Sequence, residues 1–122
     1  MKSLIIALVL VLTSSSTFAI DSKGNYAVWG LGKKSCFGYT QAIAGGDIEN
    51  FKHYIKGFLT AYNMFTEKTY SIARKMNINE IAESLEDYCA ENPMSGFETA
   101  LLNFTFDRYD SRLKRSGNSV GR

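Results

Sequence analysis

Histidine occurs once in this chain, at His53, and cysteine twice, at Cys36 and Cys89, with no ligand-like neighbours around them. That scarcity argues against a metal site, which needs several nitrogen or sulfur donors at set spacing. No motif pairs a nucleophile with a base or frames a carboxylate pair, so the sequence reads as a non-enzyme with no catalytic residues, no metal and no cofactor. Glu86, Asp87 and Glu91 cluster on what reads as a solvated acidic face, and His53, between Lys52 and Tyr54, reads as an exposed helix residue. A strong excess of one charge is missing too: 14 Lys and Arg stand against 12 Asp and Glu, which argues against nucleic acid as a partner.

Long apolar runs are absent, and the longest one opens the chain. Lys2 precedes the run from Leu4 to Leu12, which is followed by Ser and Thr residues and then Thr17-Phe18-Ala19. Small residues three and one before the cut predict a signal peptide over residues 1–19, cleaved after Ala19, and an exported periplasmic product. A membrane anchor needs roughly 20 apolar residues, so no membrane insertion is expected after cleavage. No cysteine lies in the leader to carry a lipid.

What remains is roughly 100 residues, enough for one small domain with a thin core. In an oxidising compartment Cys36 and Cys89 are expected to pair, the alternative being two separate buried thiols. Closing a loop of that length contributes about 4 kcal/mol in the chain-entropy account.

The hydrophobic spacing is helical. Phe51, Tyr54, Ile55, Phe58, Leu59, Tyr62 and Phe65 recur at three- and four-residue steps and predict a long central helix. Ile78, Ile81, Leu85, Tyr88 and Cys89 repeat the pattern, with Asn77 or Asn79 as cap and Glu80 and Glu83 in the first turns. A further helix is expected after Asn92-Pro93, read as N-cap and first helical position, with the stripe Phe97, Ala100, Leu101 and Phe104. Upstream, Ser35 caps a shorter helix carrying Cys36, Tyr39, Thr40 and Ile43, ended by Gly45-Gly46. Gly57 in the central helix is expected where another backbone comes close.

The expected architecture is therefore all-α, a small bundle of four or so helices stapled by one disulfide. Residues 20–34 read as an irregular arm with a possible short strand, 35–110 as the helical domain and 111–122 as a basic flexible tail. The charges are dipolar. Glu80, Glu83, Glu86, Asp87 and Glu91 make one helix acidic, while Arg108, Arg112, Lys114, Arg115 and Arg122 make the C-terminal end basic.

Three stretches carry a resemblance: Ser35-Cys36-Phe37-Gly38-Tyr39, then Ile55-Lys56-Gly57-Phe58-Leu59-Thr60-Ala61-Tyr62-Asn63, then Tyr88-Cys89 followed by Asn92-Pro93 and an Ala100-Leu101 helix. In motif order and spacing, over roughly residues 35–104, the chain resembles the HdeA/HdeB-like family of small periplasmic proteins. The resemblance implies an all-α fold with one disulfide and structural roles for Gly57, Tyr62, Asn63 and Pro93. It also implies the function of the best-known members, acid-activated chaperones that partly unfold at low pH and bind unfolding clients. Periplasmic immunity proteins share similar cysteine-stapled helical shapes, and fold analogy does not choose between the two.

Both readings are non-covalent protein binding, to many clients or to one protein partner, with a homodimer as a further possibility. In the chaperone reading, acid neutralises the carboxylates, raises the net charge to about +15 and loosens the bundle. The client surface is then Phe51, Phe58, Phe65, Phe97 and Phe104. In the inhibitor or immunity reading, the anchors are Trp29 and off-stripe tyrosines, namely Tyr26, Tyr39, Tyr70 and Tyr109. Asn63, lying among Tyr62, Met64 and Phe65, reads first as a structural hydrogen bonder.

Overall fold

Among the described residues, four helices form in the order α1 (Cys36–Ala44), α2 (Glu49–Phe65), α3 (Ile78–Glu91) and α4 (Phe97–Arg108), preceded by one 3₁₀ turn at Gly30–Lys33. The computed structural model describes residues 20–117, so the leader, its cleavage point and residues 118–122 lie outside the described residues. The fold is a small all-α bundle with a single Cys36–Cys89 disulfide. Among the described residues there is no strand beyond two isolated bridges, and no helix is long and apolar enough to cross a membrane.

Local chemistry starts and stops most of these helices. The Ser35 hydroxyl accepts from the Gly38 N–H at 3.1 Å and caps α1, and Gly46, at φ 75°, ends the turn that follows it. Asn77 caps α3 in a reciprocal box: its side chain accepts from Asn79 and Glu80, while the Glu80 carboxylate accepts from the Asn77 N–H at 2.7 Å. In the first turn of α2, Lys52 meets Glu49 at 2.8 Å.

The start of α4 departs from the sequence expectation. Asn92 closes α3 instead of opening the next helix: its backbone N–H and its side-chain amide both donate to the Tyr88 carbonyl, at 3.0 and 2.9 Å. Residues 93–96 form a turn and a bridge instead of a first helical turn: Ser95 donates back to the Asn92 carbonyl at 3.1 Å, and Gly96 pairs with Ser35. Cys36 and Phe37 donate to the carbonyls of Ser95 and Pro93 at 2.7 and 2.9 Å, and Phe97 donates to that of Lys34 at 2.8 Å. These bonds pin the head of α1 against the entry to α4, beside the disulfide.

The core lies where α1, α3 and α4 pack together and α2 crosses them. Tyr39, Ile55, Leu85, Phe97, Leu101 and the two cysteines are its largest fully buried side chains, with Ile72 from the loop before α3. Its centre is aromatic: Tyr39 stacks on Phe97 at 4.6 Å between centroids, and Phe51 meets both edge-on at 5.1 and 5.0 Å. Tyr39 was expected to be a possible interface anchor. It is fully buried, and its hydroxyl donates to the Ala82 carbonyl at 2.8 Å, which satisfies the polar end. Burial pushes its phenol pKa upward.

Three further expectations are corrected. Gly57 faces outward with no atom within 4 Å of where its Cβ would stand, so no helix approaches it. The glycine that permits close approach is Gly32 in the 3₁₀ turn, where a Cβ would collide with the Tyr54 hydroxyl and with Val28. The arm over 20–34 holds that turn and no strand, and it packs on α2 and α4. At the other end, the chain is held as far as Leu113, whose N–H donates to the Ser71 carbonyl at 2.9 Å and whose carbonyl accepts from Tyr70 and Ser71. Residues 111–113, the start of the stretch read as a basic flexible tail, are thus anchored ahead of Lys114 and Arg115.

Replacing both cysteines by serine opens a loop with a sequence separation of 53. We expect this to lower stability by about 4 kcal/mol in urea unfolding. Gly57→Ala should stabilise the protein by up to about 1 kcal/mol, because the site is open and helical. Gly32→Ala should destabilise it, and equal effects of the two substitutions would contradict this assignment.

Candidate protein-binding surface

The residues expected to bind proteins fall into two groups. Phe51, Phe97 and Phe104 are buried in the core, and Phe58 is half-buried against it, so none of these meets a partner while the bundle is closed. Phe65 and Trp29 are 85% and 77% exposed. They do not share an element: Phe65 ends α2, whereas Trp29 precedes the 3₁₀ turn, where the Lys33 ammonium lies 5.8 Å from its ring centre. Tyr26, Tyr70 and Tyr109 are also exposed.

The four motif residues divide similarly. Asn63 accepts from the backbone N–H of fully buried Ile72 at 2.9 Å, tying the end of α2 to the loop before α3, as a structural hydrogen bonder should. Tyr62 packs against the core from one side, and Pro93 is exposed with its carbonyl engaged by Phe37. Gly57 lies on the open face.

Several exposed apolar residues escaped the sequence reading: Phe37, Met64, Met94, Leu102 and Phe106. For α4 the signal was present. Leu102 and Phe106 sit four residues apart, off the buried stripe, and are 39% and 78% exposed, so the helix is apolar on both faces.

Polar groups near these residues are largely structural. The Tyr26 hydroxyl donates to Glu98 at 3.0 Å, and burial together with that carboxylate raises the phenol pKa. The Lys52 ammonium holds the Glu49 carboxyl below its usual range, and backbone N–H groups of Asn25 and Lys23 do the same for Asp21. Arg108 donates to the Ser84 hydroxyl at 3.1 Å and lies 3.9 Å above the Phe104 ring; its partial burial presses the guanidinium pKa downward. His53, Asp87 and Glu91 face solvent. Among the described residues, no group of three or more His, Cys, Asp or Glu is placed to hold a metal ion.

Asn63→Ala removes the acceptor for a buried N–H, so we expect a loss of about 1–3 kcal/mol in urea unfolding. An unchanged midpoint would show that this amide is dispensable.

No protein-family model, curated protein or solved structure matches this chain.

Proposed function

We propose that this chain is an exported periplasmic protein of the HdeA type, its leader removed after Ala19, that binds proteins non-covalently as an acid-activated chaperone. The observation that carries this reading is how the disulfide divides the aromatic core. Cys36–Cys89 joins α1 covalently to α3, while Phe51 of α2 is held against Tyr39 and Phe97 by packing alone. A bundle built this way can open along α2 without coming apart, uncovering Phe51, Phe97 and Tyr39 for a client.

Acid supplies the opening force through charge. As carboxylates protonate, the cations lose their counter-charges and repel one another. Glu49 adds a local contribution. Its folded pKa is depressed by Lys52, so the stability it gives is present above its usual carboxylate range and is lost as the pH falls through the folded value. This pair lies in the first turn of α2, and its carboxylate is solvent-exposed although the Lys52 side chain is largely covered, so its share is small beside the general repulsion.

A second reading rests on Trp29, whose exposed ring suits the anchor of a dedicated neutral-pH interface. One assay separates the two. An acid-sensitive dehydrogenase is held at about pH 2 and returned to neutrality with the oxidised protein, and its light scattering is followed. Scattering should be suppressed after the acid step, absent any effect at constant pH 7, and Trp29→Ala should leave the suppression intact. Unchanged scattering would contradict the chaperone reading, and a single pH 7 partner whose affinity falls more than about tenfold in Trp29→Ala would favour the inhibitor reading.

A further inference from the structure

One end of the bundle gathers both basic and protruding apolar side chains. The end of α2, the loop over residues 66–77 and the end of α4 meet there, joined by the Ser71–Leu113 pairing and by Arg112, whose guanidinium donates to Thr69 at 2.9 Å and lies 3.8 Å over the Tyr109 ring. Phe65, Phe106 and Met64 project from this end at 85%, 78% and 71% exposure, with Tyr70 and Tyr109 beside them. Around them stand Lys68, Arg74, Lys75, Arg108, Arg112, Lys114 and Arg115, against Glu67, Glu80, Asp107 and Asp110. Residues 20–117 carry equal numbers of acidic and basic side chains, so this end is positive at the expense of α3 and the remainder.

We propose that this end docks on an anionic lipid surface, with Phe65 and Phe106 entering the headgroup boundary and the surrounding Lys and Arg meeting lipid phosphates. The bundle stays folded on the surface, and no segment crosses it. Charge complementarity selects an anionic partner, and shape selects a soft one. The exposed aromatic side chains do not line the adjoining depression, whose walls are Arg74, Lys75, Glu80, Asp107, Arg108 and Ser111 with Met76 and Leu113. Exposed aromatics ringed by long cationic stems suit an interface into which both can sink, the rings to the headgroup boundary and the cations to the phosphates. The acidic face of α3 in a second copy matches the charge but would set Phe65 and Phe106 against carboxylates.

The test is co-sedimentation of the exported, oxidised protein at pH 7 with phosphatidylcholine vesicles, either pure or containing about one-third phosphatidylglycerol, at low and high salt. Binding should require the anionic lipid and disappear at high salt. Lys68→Ala/Arg74→Ala/Lys75→Ala should lower the partition coefficient about a hundredfold, and Phe65→Ser/Phe106→Ser about thirtyfold. All variants share one N-terminus, so the differences report this end alone, and unchanged thermal melts show that each still folds. A wild-type protein left in the supernatant with anionic vesicles, or variants that bind as it does, would overturn the proposal. So would self-association without lipid that the same substitutions abolish, or salt-sensitive binding to polyglutamate with no vesicle binding.

Discussion

The disulfide between Cys36 and Cys89 is the constraint on which the other contacts depend. Helix α1 has nine residues, one of them Gly38, and an isolated helix of that length is marginal in water. The bond fixes its first residue to the last turn of α3, with both cysteines fully buried. Beside it, the backbone pairing of residues 34–37 with 93–97 sets where α4 begins. Tyr39 sits one turn along α1, so its stacking on Phe97 and its bond to the Ala82 carbonyl follow from the same anchorage. With Tyr39 and Phe97 in place, α2 has a surface on which to lay Phe51 and Ile55.

Elements governed by local chemistry were legible from the residues themselves. The period of Phe51, Ile55 and Leu59 marked the buried face of α2, the Ser35 cap marked the head of α1, and of Asn77 and Asn79, both readable as caps of α3, the structure uses Asn77. What failed was decided at long range. Asn92-Pro93 has the local form of a helix start, yet the carbonyls of Pro93 and Ser95 are claimed by the head of α1, and the stretch turns without entering a helix until Phe97. A glycine's role is likewise hidden from its own helix: nothing near Gly57 says that its face is open, and nothing near Gly32 says that Tyr54 will arrive above it.

The binding surface was less legible for the same reason. Periodicity distinguishes apolar faces from polar ones but does not say which apolar face is covered. Phe97 and Phe104 read as one stripe of α4, and that stripe is the core. The face that remains outside, with Leu102 and Phe106, could have been found by asking which apolar residues the stripe leaves over. The basic end was beyond reach, because the loop over 66–77 and the stretch after α4 are brought together only by the bridge from Ser71 to Leu113. The sequence showed the basic stretch after α4; the fold adds the loop cations and the aromatics beside it.

In the proposed acid response the bundle is a disulfide-tied frame of α1 and α3, and α2 is the helix that leaves first. Amide hydrogen exchange, followed helix by helix as the pH is lowered from 7 on the oxidised protein, reads that order. Loss of protection in α2 while the amides of α1 and α3 near Cys36 and Cys89 remain slow is the predicted result. Simultaneous loss in all four helices, or loss in α1 before α2, would contradict it.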